Sequence, residues 1–363
     1  MTKKQVFRCI AFVLVVCMML VALCDLLELN NTSNYDKRYT TFRKLEKNTV
    51  DAVYLGTSGV DRYWISPKAY EEYGMTVYPL AIDSMPTWLY VEVLEDVFKR
   101  QNPELILIDA RSFGQDNVSK TVMDTRARRV LDAMSMFSVS RIKAGFKTMK
   151  VMHSTFEDEQ PRIDLSYLFS FVKYHDKWKD DDYKIKNNLG NKEHLYGGFY
   201  ITGNSTTIEP MEPTPYKFDI YEPLDPVAEE SLYELLDFLE EKDVDVLFVD
   251  TPQLKDDKEI GRGNTLYKIL DEKGIDYVHF LNTDPASDAL HVIDFDYNHD
   301  FYDAPHVNYY GAEKFTDYFA KYLNDNYDLA DHRDEEDVAK DWDGKYEAVV
   351  KKIKADEKKK NNK

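Results

Sequence analysis

One segment joins a short apolar run to a small polar turn: Val50-Asp51-Ala52-Val53-Tyr54-Leu55-Gly56-Thr57-Ser58-Gly59-Val60-Asp61. A short apolar run that ends in glycine is typical of a parallel-sheet strand buried on both faces, so we expect a strand over residues 50–55. In open α/β sheets the functional residues follow the carboxyl ends of the strands. Ser58 is therefore a candidate nucleophile, and Gly59 would let a backbone N–H approach a substrate oxygen. The same composition also suits a turn without a function.

Strand and helix patterns alternate along most of the remaining chain. We expect further strands at residues 76–82, 104–109, 244–251 and 275–281, and helices at residues 86–100, 226–242, 264–273 and 308–323. This alternation predicts an α/β fold with a parallel sheet and crossover helices. Residues 112–225 break the alternation. We interpret them as a largely helical insertion at the carboxyl edge of the sheet, where loops shape a substrate site.

The N-terminal residues 1–30 predict a membrane anchor. An apolar run at residues 9–24 is preceded by three basic residues, Lys3, Lys4 and Arg8. Basic residues before the run predict a transmembrane helix with a cytoplasmic N-terminus and an extracellular remainder. A cleavable signal peptide is the alternative, but no small-residue cleavage site follows the run. The polar residues 31–49 then predict a stalk, and the charge-dense residues 331–363 predict a solvated tail.

The composition excludes some functions. The chain has 363 residues, a formal net charge of -19 and 43% hydrophobic residues, which is typical of a globular protein and argues against a nucleic-acid partner. The three cysteines all lie within residues 9–24, so the expected outer domain has no disulfide framework and no thiolate chemistry. A large exported domain without cysteine indicates a bacterial cell-surface protein.

A second motif, Asp303-Ala304-Pro305-His306, precedes the last predicted helix. An Asp and a His three residues apart in a turn can lie on one side, where the Asp fixes the imidazole tautomer and the His reaches a nucleophile. Together with a serine after the first strand, this motif resembles the SGNH (GDSL-like) hydrolase superfamily over about residues 50–111 and 226–325. The resemblance implies a flavodoxin-like three-layer parallel sheet over residues 50–330. It also implies that Ser58 is the nucleophile, His306 the general base and Asp303 the orienting acid.

The resemblance to the superfamily is weaker for the oxyanion hole than for the three catalytic candidates. The family's Gly-Asp-Ser opening is Gly56-Thr57-Ser58 here, and the Gly-x-Asn-Asp block after the third strand is replaced by Asp109-Ala110-Arg111-Ser112. The Ser58 N–H with Arg111 or Ser84 is the expected substitute. The candidate oxyanion or substrate-binding residues are thus Gly59, Ser84, Arg111 and Asn308.

The anchor, the insertion and the altered motifs are similar to the branch of this superfamily that transfers acyl groups on surface polymers. That branch includes the D-alanine transfer protein of teichoic acid modification and the alginate O-acetylation proteins. The resemblance implies an extracellular, membrane-anchored serine acyltransferase or esterase. It would act on acetyl or D-alanyl groups of a cell-surface polysaccharide or teichoic acid, without a cofactor, beside a membrane-bound O-acyltransferase. The alternative is a non-catalytic scaffold that binds a glycan or that acyltransferase.

Two further features have competing interpretations. A His- and Asp-rich stretch matches no familiar zinc signature, so no metal site is expected; its members are His291, Asp294, Asp296, His299, Asp303 and His306. Residues 120–150 are locally basic, which indicates either a solvated helical face or a patch for an anionic polymer or lipid headgroup.

Overall fold

The structure is a computed structural model and describes residues 1–27, 35–115, 119–136, 138–156, 163–179, 196–202, 217–280 and 293–361. Within these residues, one sheet consists of five parallel strands: β1 (Ala52–Gly56), β2 (Val77–Ala81), β3 (Leu105–Asp109), β4 (Asp245–Asp250) and β5 (Asp276–His279). The strand order is β2-β1-β3-β4-β5. This is the flavodoxin-like order of a doubly wound sheet, in which β2 is added on one side of β1 and the later strands are added on the other, so the switch point lies between β1 and β3.

Helices cover both faces of the sheet. The helices of the N-terminal half are α1 (Lys3–Leu26), α2 (Tyr35–Lys44), α3 (Ser58–Asp61), α4 (Ser66–Tyr73), α5 (Tyr90–Val97), α6 (Arg111–Gly114), α7 (Lys120–Ala133), α8 (Val139–Thr155) and α9 (Ser170–Tyr174). Those that follow are α10 (Pro226–Lys242), α11 (Asp257–Glu272), α12 (Tyr309–Asn326), α13 (Glu336–Trp342) and α14 (Lys345–Asn361). Short 3-10 helices lie at Thr87–Leu89, Leu165–Tyr167 and Lys177–Lys179, and an antiparallel pair, β6 (Phe301–Asp303) and β7 (His306–Val307), precedes α12.

Side chains of the strands alternate between two cores. On β1, Val53 and Leu55 belong to the core that α2, α5, α7, α8 and α10 cover, whereas Ala52 and Tyr54 belong to the core that α3, α4, α12 and α14 cover. Successive strand residues point to opposite faces, so a strand with apolar residues at every position requires helices on both sides. The predicted α/β class with a three-layer parallel sheet is confirmed.

The insertion is largely helical where the structure describes it: α7 and α8 pack on the face of the sheet that carries α5, and α9 packs on the 3-10 helix Leu165–Tyr167. At the N-terminus, α1 includes a segment, Lys3–Cys24, that is long and apolar enough to cross a membrane. The end of α1 contacts α9, where the Ser170 hydroxyl donates a 2.8 Å hydrogen bond to the Cys24 carbonyl.

The predictions for the stalk and the tail were wrong for the residues that the structure describes. Within residues 31–49, α2 buries Tyr39 and Phe42 in the core instead of standing free. In the tail, Trp342 stacks on Tyr70 with ring centroids 5.6 Å apart. Aromatic and aliphatic residues that are widely spaced among charges suffice to form one buried face of a helix, and these patterns were obscured by the surrounding charge.

Arg38 attaches α2 to the rest of the fold. Its guanidinium is fully buried and donates to the Gly198 carbonyl (2.7 Å), to the Ala81 carbonyl and to Asp61 Oδ2 (2.5 Å). Asp61 ends α3, the short helix that begins at Ser58. Burial raises the pKa of Asp61, and the Arg38 charge opposes that shift. The ion pair therefore fixes the far end of the helix that carries the candidate nucleophile.

We expect Arg38→Met to destabilise the fold by about 3–5 kcal/mol, because it leaves the Asp61 carboxylate buried without its counter-charge. Urea unfolding of the full chain in detergent micelles measures the change. Lys37→Met, one residue earlier, removes the same charge outside this network and serves as the control. A loss for Arg38→Met no larger than the control's would contradict the importance of the pair.

Candidate active site

Three side chains from distant parts of the chain form a hydrogen-bonded row. His306 Nε2 lies 2.8 Å from Ser58 Oγ, and His306 Nδ1 lies 2.7 Å from Asp303 Oδ1. A carboxylate only accepts hydrogen bonds, so Nδ1 carries the proton and Nε2 is left to accept from the Ser58 hydroxyl. His306 is mostly buried, with 14% of its side chain exposed, whereas Asp303 is 43% exposed.

Ser58 lies at the carboxyl end of the interior strand β1, which is between β2 and β3, and at the first position of α3. Thr57 caps this helix and also links it to the neighbouring strand: its N–H donates a 3.0 Å hydrogen bond to Asp109 Oδ2, and its hydroxyl donates to the same oxygen. A Cβ on Gly56 would collide with the Cβ of Asp109. Glycine at position 56 therefore allows β1 and β3 to approach closely enough for the Thr57–Asp109 hydrogen bonds to form.

Asp109 is fully buried at the end of β3. Burial raises the pKa of its carboxyl group, and the two hydrogen bonds from Thr57 oppose the shift. Its other oxygen accepts from the Arg111 N–H at 3.2 Å. The carboxylate thus orients the ends of two strands at once.

The turn that carries Asp303 and His306 is held by its backbone. The Leu254 N–H donates to the Ala304 carbonyl (3.2 Å), and the Tyr63 hydroxyl donates to the Pro305 carbonyl (3.2 Å). Tyr63 follows α3, and Leu254 follows β4. The turn is therefore fixed by segments from both sides of the nucleophile.

A polar chain lies on the β4 side of Ser58. Glu259 forms an ion pair with Arg111 (3.0 Å), and Arg111 Nη1 donates in turn to Gln253 Oε1. The Gln253 side chain is buried, and a Cβ on Gly59 would collide with its Nε2. Because a guanidinium cannot accept a hydrogen bond, Oε1 must face Arg111, and Nε2 then faces Gly59.

The other predicted oxyanion candidates have different positions. Ser84 follows β2 with a positive φ of 52°, a conformation that favours glycine, and it lines a recess with Ser112 and Arg126. Asn308 is buried as the N-cap of α12: its Oδ1 accepts from the Tyr310 and Gly311 N–H groups, and its Nδ2 donates to the His299 carbonyl. Capping of α12 thus uses both ends of the Asn308 amide, and the role of Asn308 in substrate binding stays a prediction.

Four residues of this site were not predicted from the sequence: Gln253, Glu259, Thr57 and Asp109. Gln253 lies three residues after the end of β4, so the rule that directed attention to Ser58 also applied to it. Its pairing with Arg111 could not be inferred, because the two residues are 142 positions apart. Among the described residues, no group of three or more His, Cys, Asp or Glu is arranged to hold a metal ion; His291 lies outside them.

Comparisons with known proteins add little about this site. No protein-family model and no curated protein matches the chain. Among similar solved structures, one described as a "putative acylhydrolase" from Bacteroides fragilis covers 82% of this chain and 98% of its own, with a TM-score of 0.35 and 9% identity. At this distance no functional residue can be transferred, and the chemistry of the site has to be inferred from its geometry.

We expect Thr57→Val to destabilise the protein by about 1–3 kcal/mol, because Asp109 Oδ2 loses a buried hydrogen bond. The loss raises the pKa of Asp109 further above its unfolded value. A carboxyl with a raised folded pKa loses stability as pH rises through that pKa, so the destabilisation should be larger at neutral pH than in acid. Urea unfolding at both pH values measures it.

Thr57→Ser keeps the hydroxyl and should differ from wild type by much less than Thr57→Val at either pH. Thr57→Ser loses only the methyl group and Thr57→Val only the hydroxyl, so equal destabilisation of the two variants would show that the hydroxyl bond to Asp109 contributes no more than the methyl group does.

Proposed function

We propose that this protein is a serine acyltransferase or esterase of the SGNH type that works through an acyl-Ser58 intermediate. The observation that carries the proposal is the row Ser58 Oγ–His306–Asp303, with hydrogen-bond distances of 2.8 Å and 2.7 Å. A serine hydroxyl becomes a good nucleophile only when a positioned base takes its proton. The alternative of a non-catalytic scaffold places no such requirement on these three side chains.

The geometry supports a two-step mechanism. Ser58 Oγ attacks the acyl carbonyl while His306 Nε2 accepts the hydroxyl proton, and Asp303 stabilises the resulting imidazolium. His306 then gives that proton to the leaving group, and the acyl ester on Ser58 remains. In the second step His306 takes a proton from water or from an acceptor hydroxyl, whose oxygen attacks the ester carbonyl. His306 then returns that proton to Ser58 Oγ as the ester bond breaks, which regenerates the free serine.

Gln253 supplies the oxyanion-hole N–H donor that the sequence lacks after the third strand. The carbonyl oxygen becomes negatively charged in the tetrahedral intermediate and needs N–H groups directed at it. Ser58 provides its backbone N–H, and Gln253 Nε2 lies against Gly59, the next residue. Arg111, which we had expected to donate directly, instead holds Gln253 Oε1 and is held by Glu259. Arg111 is thus a positioning residue, and Gln253 is the oxyanion donor.

We further propose that the catalytic part lies outside the membrane and acts on acetyl or D-alanyl groups of a cell-surface polysaccharide or teichoic acid, beside a membrane-bound O-acyltransferase. The support is the apolar Lys3–Cys24 segment with basic residues at its start. The sequence motifs of the surface-polymer branch support the substrate class.

A fluorophosphonate probe should attach to wild-type protein once, at Ser58, as read by intact mass. Ser58→Ala should abolish the adduct, and His306→Asn should slow its formation by at least about 100-fold, which is the lower range of general-base contributions. Asp303→Asn should slow it less than His306→Asn does, since Asp303 is 43% exposed and its charge is screened by water. An adduct that persists in Ser58→Ala would overturn the assignment.

Gln253→Glu should lower kcat for p-nitrophenyl acetate hydrolysis by about 10²–10³-fold with little change in KM. The variant keeps the size of the side chain and the bond from Arg111, but it replaces the N–H donor with a carboxylate oxygen. Gln115→Glu makes the same chemical change outside this polar chain and should retain wild-type kcat. Wild-type kcat in Gln253→Glu would show that another group stabilises the oxyanion.

A further inference from the structure

Exposed large apolar side chains are concentrated on one part of the insertion. Among the described residues beyond position 27, twelve large apolar or aromatic side chains are exposed, and seven of them lie between positions 139 and 172. We call these seven the apolar patch: Val139, Ile142, Phe146, Ile163, Leu165, Phe169 and Val172. Their exposed fractions run from 39% to 70%. Single exposed apolar residues are common, but a cluster of this size indicates an interaction surface.

The patch is carried by elements that pack on one another. Val139, Ile142 and Phe146 occupy one face of α8, with spacings of three and four residues. Arg141 Nη1, on the buried side of α8, donates to the Leu168 carbonyl at 2.7 Å. Leu168 joins the 3-10 helix Leu165–Tyr167 to α9, and this 3-10 helix contacts both α8 and α9, so the segments that carry the patch are adjacent in the fold.

The membrane helix ends at this same place. The Ser170 hydroxyl, between Phe169 and Val172, donates to the Cys24 carbonyl at 2.8 Å. The Lys3–Cys24 segment has 22 residues, and a helix rises about 1.5 Å per residue, so it spans about 33 Å. The hydrocarbon core of a bilayer is about 30 Å thick. When α1 crosses the membrane, Cys24 therefore lies at the outer boundary of the hydrocarbon, and Ser170 holds α9 at that depth.

Charge does not account for the patch. The three lysines of α8, which belong to the locally basic residues 120–150, form ion pairs within the protein: Lys143 with Glu95, Lys147 with Glu92 and Lys150 with Glu230. The chain as a whole carries a net charge of -19. An attraction to anionic headgroups is therefore weak, and the apolar side chains have to supply the binding.

We propose that the apolar patch lies in the headgroup and upper acyl-chain region of the bilayer that α1 crosses. The protein would thus be held by one spanning helix and by one monotopic surface formed by α8, α9 and the 3-10 helix between them. This inference rests on the proposed membrane anchoring, but it does not depend on the chemistry of Ser58. The ligand is the lipid of that bilayer, and its recognition is apolar.

Fluorescence quenching of the full chain in lipid nanodiscs tests the proposal. A bimane label is placed on a single cysteine after removal of the native ones, at Phe146→Cys on α8 or at Val172→Cys on α9. Lipids that carry a nitroxide high on the acyl chain serve as the quencher. Tyr233→Cys on α10 and Tyr221→Cys are exposed positions outside the patch and serve as controls. The native Cys17, retained alone, reports whether α1 has inserted.

We expect the labels at positions 146 and 172 to be quenched at least about threefold more than those at positions 221 and 233, in both neutral and anionic nanodiscs and at high salt. With Cys17 quenched, equal quenching at positions 146 and 233 would overturn the proposal. Quenching at position 172 without position 146 would also overturn it, because α8 would then face water. Protection of position 146 from aqueous iodide without lipid quenching would overturn it in favour of a second copy of the chain. An unquenched Cys17 would instead contradict the anchoring itself.

Discussion

The two hydrogen bonds from Thr57 to Asp109 hold the site together. They connect the carboxyl ends of β1 and β3, the two strands between which the sheet reverses its winding direction. Gly56 allows the strands to approach, Thr57 caps α3, and Ser58 is thereby presented as the first residue of that helix. On the other side, the same carboxylate accepts from the Arg111 N–H, so the nucleophile and the residue that holds Gln253 are positioned by one buried side chain. Burial of the Asp109 carboxylate is unfavourable, and its raised pKa reflects this cost. The protein thus loses some folding stability at Asp109 in exchange for a well-oriented site.

The segments around this link constrain one another. Arg38 on α2 binds Asp61 at the end of α3, and Tyr63, just beyond α3, donates to Pro305 in the turn that carries His306. Leu254, just beyond Gln253, donates to Ala304 in the same turn. The candidate base and the candidate oxyanion donor are therefore attached to a common backbone unit. A shift of the β4 loop would displace both, which ties proton transfer to charge stabilisation in the proposed mechanism.

The sequence allowed the sheet to be predicted because its strands are short apolar runs whose pattern is local. The same was true of Ser58, Asp303 and His306, whose residue types and positions relative to strands suggested their roles; those roles stay predictions, and the structure adds their distances. Long-range pairings could not be predicted in this way. Arg38 has partners at positions 61, 81 and 198, and Arg111 pairs with Gln253 and Glu259, none of which is a neighbour in sequence. At α2 and at residues 331–363 the polar composition conceals the buried face, because only a few apolar side chains determine burial there.

The Ser170–Cys24 hydrogen bond has a mechanical consequence. A domain on a flexible stalk would adopt many orientations, and its serine would meet acceptor groups at many heights above the membrane. In this structure the end of α1 is hydrogen-bonded to α9, and α2 is buried in the fold. The two helices on either side of residues 28–34 are therefore both attached to the rest of the protein. If α1 crosses the bilayer, Ser58 lies at one height and one orientation above it. In the proposed acyl transfer, such an arrangement would select acceptors by position as well as by chemistry, because only groups presented at that height by the membrane or by a protein within it would reach the serine.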